Sequence, residues 1–131
     1  MASYVFLYLL MMLTPADEQE TKLKCADFKT GKFKQLDENK NEIPYSMERN
    51  DSLQVEYDEK TKATTTLQVV WTGECTYYLK YLEGQDNRNE EADGQNLMVE
   101  IIETKKNMYK YAAWFENSES IKVYGWVKKL D

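Results

Sequence analysis

A chain of 131 residues, 42% hydrophobic and 13% aromatic, is sized for one domain with a modest core. Its formal charge is −6 and its lysines are spread along the sequence, which argues against nucleic acid as a partner, because phosphate binding needs a clustered basic face. It has no histidine, so Ser-His-Asp and Cys-His sites are impossible and the commonest general acid/base and neutral metal ligand are missing.

A zinc site would need carboxylates together with the two cysteines, so no metal or cofactor is expected. A glycosidase-like carboxylate pair stays open, but enzyme becomes the minority class. Ten tyrosines, with many Thr and Val, favour strands over helices. Two prolines and five glycines do not suit a low-complexity chain.

Tyr4 to Leu13 is an uncharged apolar run. It is shorter than the roughly 20 residues that cross a bilayer, and it has the length of a signal-peptide core. Thr14 and Ala16 put small residues at the −3 and −1 positions of a cleavage before Asp17. The expectation is a signal peptide over 1–16, a polar spacer over 17–24 and one β-domain over 25–131. The run has no Lys or Arg before it, which is the weak point of the signal reading, and the competing reading makes it a buried first element of the domain. Lys24 does not suit a lipobox at Cys25.

In an exported chain Cys25 and Cys75 read as a pair, and by chain-entropy reasoning a loop of about 50 residues adds roughly 4 kcal/mol. In a reducing cytosol they would be two buried thiols.

Asp27 to Leu36 reads as a strand or bent strand pair, with Gly31 as a bulge, and 37–41 is a turn. From Glu42 to Arg49 alternation puts Ile43, Tyr45, Met47 and Arg49 on one face, while Pro44 points to an edge strand. After the Asn50-Asp51 turn, Leu53, Val55 and Tyr57 are expected inward, with Gln54, Glu56 and Asp58 outward. The stretch 64–83 is a hairpin around Thr72-Gly73-Glu74. Leu67, Val69 and Trp71 lie inward on one arm, and Cys75, Tyr77, Leu79 and Tyr81 on the other. The polar loop 84–95 does not fit a calcium loop, because Arg88 stands where an oxygen ligand belongs.

Three more strands follow, over 97–104, 108–115 and 120–130. Leu97, Val99 and Ile101 make one face of the first, and Ile121, Val123 and Val127 one face of the last, with Gly125 in phase as a bulge or close approach. About eight short strands with short turns and no helix predict an all-β antiparallel up-and-down meander, closed or half-open as a lipocalin-like barrel. A two-sheet sandwich is the alternative.

The ordered set Cys25, Phe28, Gly31, Phe33, then Arg49, Gln54 and Glu56, then Trp71, Cys75, Tyr77 and Leu79 resembles a family of small exported proteins of flavobacteria and their relatives. Many of these carry the label DNA topoisomerase IV. The resemblance spans roughly residues 25 to 104 and implies a small β-rich exported domain without implying an activity. The topoisomerase label fails on physics, since so short and acidic a chain has no room for a cleavage core and repels DNA. The departure from the family is Pro44 to Glu48, where a more regular strand is expected.

Two readings of Arg49 remain. It anchors the carboxylate of a small amphiphile, with Tyr45 and Met47 lining the pocket, or it pairs with a protein group at a strand end. Gln54 and Glu56 form cross-strand polar pairs or line a site. Neighbouring aromatics such as Tyr77 and Tyr78 must present a ring on each face, and an exposed ring patch fits a partner or a glycan. The expectation is an exported non-enzymatic domain binding a small ligand or a protein partner. An accessory envelope protein without a ligand comes second and a carboxylate-based hydrolase third.

Overall fold

The computed structural model describes residues 22–84 and 94–131. The expected signal peptide, most of the spacer and most of the 84–95 loop lie outside the described residues. A 3-10 turn over Cys25–Phe28 precedes eight strands: β1 Gly31–Leu36, β2 Glu42–Arg49, β3 Leu53–Asp58, β4 Thr64–Trp71, β5 Thr76–Gly84, β6 Leu97–Thr104, β7 Met108–Phe115 and β8 Val123–Lys129. Every neighbouring pair is antiparallel, and β1 pairs with both β2 and β8, which closes the meander into a barrel in sequential order. The expected barrel is therefore present in its closed form, and the sandwich is not.

Eight strands enclose a lumen that side chains can nearly fill. The 3-10 turn sits at one end, here called the floor, where β1 begins and β2 ends. Phe28 is buried there against Tyr109, ring centroids 5.3 Å apart and edge to face. The expected strand from Asp27 is thus a turn first. Gly31 begins β1 at φ 135°, a left-handed conformation that side-chain-bearing residues rarely adopt. Cys25 and Cys75 form a disulfide with Cα atoms 5.3 Å apart, tying the floor to the β4–β5 turn. Lys129 Nζ adds a hydrogen bond to the Asp27 carbonyl at 2.8 Å.

Three local expectations are corrected. In β3 the faces are reversed: Gln54 is 2% exposed, while Leu53 and Val55 are 36% and 40% exposed. The cause is register. The Asn50 side chain accepts from the amides of Ser52 and Leu53, and this turn sets Gln54 opposite Arg49. Directly opposed residues share a face, so the inward Arg49 takes Gln54 inward with it.

Pro44 does not mark an edge, since β2 is paired on both sides. It falls where the β1–β2 register shifts between Lys34 and Leu36, so its missing N–H interrupts no ladder, and its carbonyl accepts from Glu59 N at 2.9 Å. Finally, Ile121 precedes β8 in a turn closed to Ser118 and is 70% exposed, and Val123 at the rim is 58% exposed. Val123, opposite Ala113, does share the lumen-side face of β8 with Gly125 and Val127, but only the latter two are buried.

Candidate functional site: a buried arginine beneath the lumen

Arg49 ends β2 at the floor and is buried. Its Nε–H donates to Gln54 Oε1 at 2.8 Å and Nη1 donates to the Phe28 carbonyl at 2.8 Å. Nη2 donates to Tyr109 OH at 2.9 Å and to Tyr77 OH at 3.2 Å, and those two hydroxyls are hydrogen-bonded to each other at 2.9 Å. The guanidinium carbon also lies 4.8 Å from the Phe33 ring centroid and 4.9 Å from that of Tyr77. A planar fork with donors on three sides suits this cage, where a lysine ammonium would reach only one part of it.

The charge is met through a relay. Gln54 Oε1 accepts the hydrogen bond from the guanidinium, and Gln54 Nε2 donates to Glu56 Oε2 at 2.6 Å. A half-buried carboxylate thus faces the cation through an amide rather than directly. Burial pulls the Arg49 pKa down, and the hydroxyls of Tyr109 and Tyr77 more than offset it, so the pKa lies above the ordinary arginine value. Burial raises Tyr77 well above the usual tyrosine range, opposed in part by Arg49 and reinforced by Tyr109.

Above this layer lies a lumen cavity of about 140 Å³. Gln35, Gln54, Glu56 and Tyr111 form its polar side, while Leu79, Leu97, Val99 and Val127 are among the apolar lining. Tyr77 and Tyr109 line it too while holding Arg49, so their rings separate the guanidinium from the space. Gln35 Nε2 donates to Tyr111 OH. The Tyr111 pKa is pushed up to about 12 by burial first and by Tyr109 next, against the Gln35 bond. Gly125 is what admits this ring: a Cβ there would stand 2.7 Å from Tyr111 OH.

The residues singled out in the sequence separate into groups. Arg49, Gln54, Glu56 and Tyr77 converge on one network, and Met47 and Leu79 line the cavity above it. Tyr45 is an exposed residue. Trp71 sits at the β4–β5 turn with its ring 4.6 Å from that of Tyr77 and with Lys29 Nζ 5.0 Å from its centroid. Tyr109, Tyr111 and Gln35 belong to the site although sequence reasoning did not assign them to it. Only the inward phase of β7 and β1 could have drawn attention to them.

Comparison with protein families, with curated proteins and with solved structures finds no match.

Proposed function

We propose that the protein is an exported, non-enzymatic accessory domain that acts through its outer wall rather than as a carrier of amphiphiles. The observation that carries this reading is the lumen volume. About 140 Å³ is well below the roughly 300–1,000 Å³ of ordinary small-molecule sites. The one inward guanidinium among the described residues is already held by four protein acceptors. The wall outside is better equipped for contact. Val70, Tyr78, Met98 and Trp114 stand in direct cross-strand register on four successive strands, an unbroken apolar row. The disulfide supports the exported setting.

Titration of a fluorescent fatty acid tests the reading. The expected outcome is no saturable binding, by wild type or by Arg49→Ala. Saturable binding that Arg49→Ala weakens would restore the carrier with Arg49 as anchor.

A second reading has its own observation. A cavity of this size with a polar side suits a compact donor-bearing molecule, since an apolar cavity of about 150 Å³ takes up benzene. Small amines or amides that raise the melting temperature of wild type but not of Glu56→Gln would support it. The hydrolase reading gains nothing from the lumen, where Glu56 is the single carboxylate lining the cavity among the described residues.

A further inference from the structure

Folding gathers lysines that look scattered in the sequence. On β1, β7 and β8 the residues in the outward phase are Lys32, Lys34, Lys110 and Lys128, with Trp114, Tyr124 and Met108 among them, and with Leu36, Ala112 and Trp126 covered by their neighbours and buried. None of the outward positions on these three adjacent strands is a carboxylate, in a chain of net charge −6. Lys34 and Lys128 are directly opposed in the β1–β8 ladder, a like-charge pairing that normally costs stability. Three more lysines lean in from turns. Lys40 Nζ lies 4.6 Å and Lys105 Nζ 5.8 Å from the Trp126 centroid, and Lys122 Nζ lies 4.7 Å from that of Trp114. Acids border the face on both sides: Glu48 stands opposite Lys32 and Glu42 opposite Leu36 in the β1–β2 ladder, Glu103 opposite Lys110 and Glu100 opposite Ala112 in the β6–β7 ladder, Glu59 binds Lys34 at 2.7 Å, Glu103 lies 3.6 Å from Lys105, and Glu119 flanks the turn.

At the upper end of the barrel Ile121 and Val123 bracket Lys122, both strongly exposed; Val123 stands at the rim in the lumen-side phase of β8, opposite Ala113, while Tyr124 is exposed on the outer face. We infer that the β1–β7–β8 face docks on an anionic lipid surface, with Ile121 and Val123 entering the acyl boundary, Tyr124 and Trp114 at headgroup depth, and the lysines on the phosphates. This rests on the reading that the outer wall is the working surface.

Two observations favour lipid over a stacked polyanion such as single-stranded nucleic acid or an acidic glycan. Stacking needs free ring faces, and here Lys122 covers Trp114 and Lys40 covers Trp126. Exposed aliphatic side chains, by contrast, gain nothing from sugars or phosphates and gain from entering a bilayer.

The experiment is cosedimentation of the protein with vesicles of phosphatidylcholine alone and of phosphatidylcholine with phosphatidylglycerol. Binding is expected to the anionic vesicles only, weakening as salt rises. Each lysine near such a surface is worth about fivefold in affinity (about 1 kcal/mol), so replacing Lys110, Lys122 and Lys128 together by Gln should cost about a hundredfold. Ile121→Ser should weaken binding further, whereas Lys60→Gln with Lys80→Gln, which neutralises lysines elsewhere, should cost less than the triple replacement. Circular dichroism confirms that each variant is folded.

Equal affinity for neutral and anionic vesicles, no binding to either, or indifference to the triple replacement would overturn the proposal. So would binding to soluble polyanion as tight as to vesicles and indifferent to Ile121→Ser. The accessory reading itself fails on a different result, the saturable fatty-acid titration.

Discussion

Arg49 concentrates more of the fold in one side chain than any other described residue. It joins the end of β2 to β3 through Gln54, to the floor turn through the Phe28 carbonyl, and to β5 and β7 through two tyrosine hydroxyls. Arg49→Ala strips all of these acceptors and leaves buried hydroxyls and an amide with lost partners, so it should destabilise by about 3–5 kcal/mol in denaturant unfolding. Arg49→Lys should recover less than half of that, because an ammonium cannot bridge the same directions. A lysine variant as stable as wild type would mean that the charge, and not the fork, is what matters. Gly125 makes a separate residue-scale case. Gly125→Ala forces a methyl against the Tyr111 phenol and should cost about 1–3 kcal/mol. A double-mutant cycle with Tyr111→Leu should show that cost shrinking. Strict additivity would place the strain elsewhere.

At the scale of elements, alternation was a good guide wherever the buried face is apolar, and it failed where the buried face is polar. Val69, Tyr77, Val99 and Val127 lie inward as their strands' patterns indicate. In β3 the pattern LQVEYD offers its apolar residues to solvent, because the energy of matching Gln54 to Arg49 outweighs burying Leu53 and Val55. No period-2 reading contains that choice, since it depends on a cation from the preceding strand and on a turn that fixes register. The cysteine pair was legible because the chain has two cysteines and an exported setting was expected. The 3-10 turn was not, because Phe28 plugs the floor only once the barrel has closed. That plug is held by the disulfide, by Arg49 and by Lys129. Replacing both cysteines by Ser should therefore cost about 2–5 kcal/mol, with hydrogen exchange rising first at 25–33 and around the β4–β5 turn. Uniform loss of protection across the barrel would show that the floor is not a separate unit.

For the whole molecule, what the sequence conceals is sorting. Lysines distributed from Lys32 to Lys128 become neighbours because the barrel brings β1 beside β8, and the absence of a basic stripe in the linear chain says little about its wall. The same closure creates a lumen whose polar groups respond to alkali. Burial raises Tyr111 to about 12 and holds Tyr77 well above the usual range, whereas in the unfolded chain both ionise near about 10. The unfolded state therefore releases its protons first as pH rises. Stability from these groups is complete below about pH 10 and is lost between there and about pH 12. For Tyr111 alone the integrated loss is roughly 2–3 kcal/mol, and Tyr77 adds to it. In acid the opposite sign applies. Backbone amides, Asn41 first, hold Asp37 below the ordinary carboxylate value, and amides led by Thr61 do the same for Asp58. Their contribution is present at neutral pH and fades as pH falls through those lowered values, weakly because both sit in exposed turns. The expected profile is a broad neutral plateau, a shallow acid edge and a steep alkaline edge. Denaturation midpoints across pH, read beside tyrosinate absorbance, check it. Tyr111→Phe should lower the neutral plateau slightly and flatten the alkaline edge. If all tyrosines titrate together near pH 10 while the barrel stays folded, the lumen is wetter than its packing indicates and the alkaline argument fails.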